Sequence, residues 1–206
     1  LTMTSPEAVM RLAPVIPVLT IEDPAWARPI AEALVAGGLR ALEVTLRTPG
    51  ALEAIAEMAK VEGAVVGAGT VLNAAELDRA LDAGARFIVS PGLTEPLAKA
   101  AIAADVPFLP GVATAGDLMR GLDLGLTFFK FFPAEAAGGR KALAALAAPF
   151  HRVSFCPTGG ITLASAPEWL AMPSVLCVGG SWLVPAGTPD VEGIRQRAAE
   201  AAGLAG

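Results

Sequence analysis

Three kinds of reactive side chain stand where one site could use them: an amine, a carboxylate and a guanidinium. Lys130 lies in Thr127-Phe128-Phe129-Lys130-Phe131-Phe132-Pro133, among four phenylalanines and with no carboxylate in the run. An ammonium deprived of hydration gives way to its neutral amine, and a neutral amine attacks a carbonyl to form a Schiff base. The same run also suits an edge lysine that reaches water over an apolar strand. A second segment, Leu42-Glu43-Val44-Thr45-Leu46-Arg47-Thr48, puts Glu43, Thr45 and Arg47 on one face by period-2 alternation. A strand buried in a parallel barrel is normally apolar on both faces. That polar face is therefore either a working surface or a structural Glu43–Arg47 pair.

Four more segments carry weaker signals. Val65-Val66-Gly67-Ala68-Gly69-Thr70 has small residues that admit a ligand to the backbone, and a hydroxyl at Thr70. Its glycines equally suit a tight turn or close packing, and Ser90-Pro91-Gly92 also reads as a turn. Cys156-Pro157-Thr158-Gly159-Gly160-Ile161-Thr162 and Cys177-Val178-Gly179-Gly180-Ser181-Trp182 each pair two glycines ahead of an expected helical turn. Successive free amides at a helix N-terminus bind phosphate. Two such turns at the end of the chain strengthen that reading.

Composition removes many alternatives. There is no tyrosine, and His151 is the single histidine, so most acid/base schemes built on those residues are excluded. No cluster of His, Cys and carboxylates has metal-ligand spacing, which leads us to expect no metal and no organic cofactor. A net charge of −5 gives no support for nucleic-acid binding. No stretch approaches a membrane span, and residues 1–7 lack a signal-peptide pattern. Cys156 and Cys177 make no disulfide framework, and both sit in apolar runs that suit small buried side chains; a reducing cytoplasm is expected.

These residues need a scaffold that brings strand ends together. The 206-residue chain is 54% apolar and alternates β-rich with Ala/Leu/Glu-rich segments throughout. Strands are expected over 14–20, 41–46, 64–68, 86–89, 107–109, 126–131, 152–156 and 175–178. Helices are expected over 24–36, 49–60, 74–83, 95–104, 114–122, 140–147, 163–170 and 189–202. Asp23-Pro24, Thr48-Pro49, Asn73 with Glu76, and Thr94 ahead of Glu95-Pro96 read as helix starts. Gly37-Gly38, Gly84 and Gly125 read as C-terminal caps. Eight such units with no linker predict a compact (β/α)8 barrel over 1–206, with a doubly wound open sheet as the alternative. In a barrel, Glu43, Arg47, Thr70, Pro91, Lys130 and both glycine turns fall at the strand ends where active sites sit.

The segments LEVTLRT (42–48), VGAGTVLN (66–73), SPGLTEPL (90–97), FKFFPAE (129–135), FCPTGGI (155–161) and VLCVGGSWL (175–183) resemble the 2-keto-3-deoxy-6-phosphogluconate (KDPG) and 4-hydroxy-2-oxoglutarate aldolase family. They follow the family's order over nearly the whole chain. The resemblance implies a class I aldolase of the Entner–Doudoroff pathway, a (β/α)8 barrel, a homotrimer and no cofactor. It implies Lys130 as the Schiff-base lysine and Glu43 as the general acid/base. Arg47, Thr70 and Pro91 would form the pyruvyl pocket, and Thr158 would contact the hydroxyl chain. Gly159, Gly160, Gly180 and Ser181 would receive the phosphate. Aldol cleavage of the galactonate epimer stays open, as do a sugar-phosphate isomerase or epimerase using Glu43 as base and a non-catalytic phospho-ligand barrel.

Overall fold

The computed structural model describes residues 5–204; the leader reading of residues 1–4 and the last two residues of the expected domain lie outside them. Eight parallel strands run β1 (Val15–Leu19), β2 (Ala41–Thr45), β3 (Val65–Gly69), β4 (Ile88–Ser90), β5 (Phe108–Val112), β6 (Phe128–Phe131), β7 (Ser154–Pro157) and β8 (Val178–Gly180). Each pairs with the next from β1 to β7, and β8 pairs with β1. Two isolated bridges, Phe155 with Val175 and Thr158 with Gly179, close the remaining side between β7 and β8. The result is the (β/α)8 barrel rather than a doubly wound sheet, which would reverse its strand order partway.

Between the strands run α2 (Ala27–Ala36), α3 (Ala51–Met58), α4 (Ala74–Asp82), α5 (Glu95–Ala103), α6 (Ala115–Asp123), α7 (Gly139–Ala147) and α8 (Ala166–Leu170), with α9 (Val191–Ala202) last. Alternation sorts each strand's side chains. Leu42, Val44, Val66, Ala68, Phe129, Phe131 and Phe155 point outward into one core with helix residues such as Ile30, Ile55, Leu77, Leu118 and Ile194. Ile16, Ala41, Val65, Phe87, Val89, Leu109, Cys156 and Cys177 form a second core inside the barrel. Burying both faces removes large apolar area from water at about 25 cal/mol per Å².

Several expected boundaries shift for local reasons. Asp23 caps a short 3-10 turn, Pro24–Trp26, before α2 begins. The strand expected over 175–178 starts three residues late, because Val175 belongs to a turn in which its amide donates to the Met172 carbonyl at 2.9 Å. The helix expected over 163–170 also starts late, at Ala166. Asn73 accepts from the Glu76 amide at 2.9 Å, and Thr114 with Asp117 forms a reciprocal capping box. Thr94 precedes α5 without any side-chain cap bond.

One helix is absent from the sequence reading. Helix α1 (Pro6–Met10) has Pro6 at its start, and Ser5 accepts from the Ala8 amide at 3.2 Å. Its Val9 and Met10 are fully buried against Ile16, Ala41 and Val65, at the beginnings of their strands, and so plug the barrel floor.

Candidate active site

Strand β2 sends Glu43 and Thr45 into the barrel, and β6 sends in Lys130. Glu43 is 3% exposed and Lys130 6%, and Lys130 Nζ donates to Glu43 Oε1 at 3.1 Å. Two opposite charges withdrawn from water depend on each other; removing one partner of such a pair typically costs about 3–5 kcal/mol. The expected all-phenylalanine setting of the lysine is therefore corrected. Phe129 and Phe131 face outward by alternation, Phe128 lies against the interior core, and only Phe132 covers the amine, 5.2 Å from Nζ to ring centroid.

Small neighbours make room for these long side chains. Lys130 is in register with Gly111 on β5 and Cys156 on β7. A Cβ on Gly69 would sit 2.2 Å from Glu43 Oε1, so a side chain at that strand position would displace the carboxylate. A Cβ on Gly111 would meet the Pro91 carbonyl oxygen at 2.1 Å, which places Pro91 beside the neighbour of the lysine.

At the rim, Arg47 Nε donates to Thr70 Oγ1 at 3.3 Å. Arg47 is exposed and has not paired with Glu43, so the structural pair that the strand alone permits does not form among the described residues. Thr70 adopts φ +57°, a left-handed conformation that a β-branched residue takes at a cost. Thr45 donates its hydroxyl to the Leu19 carbonyl at 2.9 Å, and Thr48 to the Ile21 carbonyl at 2.6 Å, tying the end of β2 to the end of β1. These two ties were not foreseen, since they join residues more than 20 positions apart.

The glycine turns lie side by side across the bridge between Thr158 and Gly179. Thr158 is 6% exposed, and a Cβ at Gly179 would collide with its Oγ1 at 2.2 Å. Gly159 and Gly160 have φ +108° and +78°, which glycine adopts without strain. The Thr158 and Gly159 carbonyls accept from the Ala134 and Glu135 amides at 2.8 and 3.1 Å, so the loop after β6 fixes this turn. Among the described residues, the amides of Gly160 and Ser181 donate to no protein group. The expected helix starts are corrected here. After β7 a turn leads to five-residue α8, and after β8 no helix begins until Val191, so amides rather than helix ends face outward. Gly180 packs under the Trp182 ring, and Ser181 is exposed on the wall of a cavity of ≈ 270 Å³.

Beneath the amine, a hydrogen bond with Cys156 and then complete burial push the Cys177 thiol well above the ordinary range. Among the described residues no group of three His, Cys, Asp or Glu could hold a metal, and no helix is long and apolar enough to cross a membrane. An amine and a carboxylate in contact inside a nearly dry barrel can add a carbonyl to nitrogen and move a proton on the bound carbon skeleton.

Comparison with known proteins agrees with this chemistry. The profile described as KDPG and KHG aldolase matches residues 7–197. The 2-dehydro-3-deoxy-phosphogluconate aldolase of Zymomonas mobilis is 66% identical over 195 residues, 95% of this chain and 94% of that protein. A crystal structure of the 2-keto-3-deoxy-6-phosphogluconate aldolase of Zymomonas mobilis ZM4 with 3-phosphoglycerate superposes with TM-score 0.97 at 64% identity, covering 98% of this chain and 97% of that one. The KDPG aldolase of Legionella pneumophila, with pyruvate captured as a covalent carbinolamine, gives TM-score 0.93 at 44% identity over 97% and 98% of the two chains.

Proposed function

The chain belongs to the KDPG and KHG aldolase family, and on that premise we propose that it is a Schiff-base aldolase. It cleaves 2-keto-3-deoxy-6-phosphogluconate to pyruvate and glyceraldehyde 3-phosphate, and 4-hydroxy-2-oxoglutarate to pyruvate and glyoxylate. The observation that carries this reading is the 3.1 Å contact between the buried Lys130 amine and Glu43.

Glu43 takes a proton from the paired Lys130 ammonium, the freed amine adds to C2 of the keto acid, and Glu43 returns that proton as the carbinolamine loses water to give an iminium. That cation draws in the electrons of the C3–C4 bond as Glu43 takes the C4 hydroxyl proton. The aldehyde leaves and an enamine remains. Glu43 returns the proton to C3, and water adds to the iminium to release pyruvate and the free amine. Acid/base assistance of this kind contributes about 10²–10⁴ in rate. Arg47, with Thr70, holds the pyruvyl carboxylate, Pro91 bounds its pocket, and Thr158 meets the substrate's hydroxyl chain. Gly159, Gly160, Gly180 and Ser181 take the phosphate on their amides and the serine hydroxyl. The protein works as one domain, in the cytoplasm and as a homotrimer; sedimentation velocity measures the last.

Borohydride reduction in the presence of pyruvate tests the reading. A reduced pyruvyl group should appear on the peptide containing Lys130. Lys60 and Lys99 are exposed and paired with Glu57 and Glu95, and Lys141 is exposed. Labelling of any of these three in place of Lys130 would sink the assignment.

A further inference from the structure

We propose that Thr20 is a specificity residue that accepts a hydrogen bond from the substrate hydroxyl next to the phosphate ester. The inference rests on the aldolase reading above. Thr20 follows β1 directly and shares the inward-facing set of Ile16 and Val18 by alternation. Its hydroxyl lies 3.2 Å from Thr45 Oγ1. Thr45 is fully buried, and its single hydroxyl proton goes to the Leu19 carbonyl at 2.9 Å. Thr45 therefore has only lone pairs to offer, and Thr20 is the donor between the two. With its proton committed inward, Thr20 presents nothing but an acceptor to the space in front of it.

That space is the ≈ 270 Å³ cavity between the ends of β8 and β1, whose wall includes Thr20, Glu22, Trp26, Ile30 and Ser181. Among the described residues, Glu22 is the one charged residue lining it. On this part of the wall, a carboxylate and an acceptor-only hydroxyl match a neutral hydroxyl donor. Ser181 belongs both to this wall and to the glycine turn proposed to hold phosphate, so the chain atoms just before the phosphate come past Thr20. In the aldehyde half of the substrate those atoms carry one hydroxyl, the 2-hydroxyl of glyceraldehyde 3-phosphate.

The synthetic direction isolates that hydroxyl. Pyruvate is condensed with glyceraldehyde 3-phosphate or with 3-oxopropyl phosphate, which lacks it. The unmodified protein should favour the hydroxylated acceptor by about tenfold or more in kcat/KM, because a site built for a hydroxyl loses a bond when it is absent. Thr20→Val should bring the preference close to unity, and Thr20→Ser should keep it. A preference that survives Thr20→Val, or equal losses with both acceptors, overturns the assignment. Pyruvate trapping on the unmodified protein runs alongside: no adduct there sinks the aldolase reading itself, whereas an adduct with an unmoved preference sinks only the role of Thr20.

Discussion

Glu43 and Lys130 stand on strands four places apart in an eight-stranded barrel, on opposite walls, and their charged ends meet at 3.1 Å. The contact spans the interior because the positions around it are small: Gly69 gives Glu43 its room, and Gly111 flanks Lys130. The barrel centre is filled below this level by Val89, Leu109 and the two cysteines, and left to the reactive pair above it.

Replacing the carboxylate isolates proton transfer from amine addition. Glu43→Gln should still form the pyruvate adduct, while exchange of pyruvate methyl protons and substrate cleavage slow by about 10²-fold or more. Exchange followed by NMR in deuterated water is the measurement. A near-normal rate would assign the proton to another group.

Gly69→Ala tests the space rather than the chemistry. The added methyl lands 2.2 Å from the present place of Glu43 Oε1, so the flexible carboxylate must move away from Lys130. Misplacing a catalytic group by ~1 Å can cost ~10²-fold. Turnover should drop to the level of Glu43→Gln, and the urea midpoint should fall as well, because the buried pair is drawn apart.

Phosphate recognition predicts a split between two readouts. Ser181→Ala should lower kcat/KM for the phosphorylated keto acid, since remote binding energy helps place the scissile bond. It should leave borohydride trapping of pyruvate close to normal. Equal damage to both would mean that this turn only supports the fold.

Cys177 predicts how stability responds to alkali. Its thiol is pushed up in the folded protein by a hydrogen bond with the free Cys156 thiol and by burial. A group with a raised folded value adds stability below the unfolded value, about 8.5 for a thiol, and loses that contribution as pH rises past it. The urea midpoint should fall from pH 7.5 towards pH 10, and less steeply in Cys177→Ala. An equally steep fall in that variant would trace the effect to other groups.

Much of this arrangement was legible in the chain because parallel barrels put chemistry at strand ends. The alternation of segments marked the strands, and the polar face of Glu43, Thr45 and Arg47 marked β2 as unusual. What stayed hidden was distance across the fold. No local feature of residues 127–133 announces Glu43 as the partner of Lys130, because 87 positions separate them and only barrel closure joins them. The four phenylalanines misled for a related reason: period-2 alternation, applied there as it was to β2, sends two of them away from the amine. Helix α1 is too short to show a helical period, and the starts of α8 and β8 were lost in turns with apolar composition.

Between β7 and β8 the barrel is held by two isolated bridges, whereas β2 and β3 share five consecutive paired residues. A ladder this thin opens at lower free energy than its neighbours, and amide exchange near Thr158 and Gly179 should outpace exchange along β2. The two glycine turns flank this gap. An anion spanning them would add rungs where the protein has few, so the substrate would act as a clasp on the barrel that cleaves it, slowing exchange across the seam for as long as it stays bound.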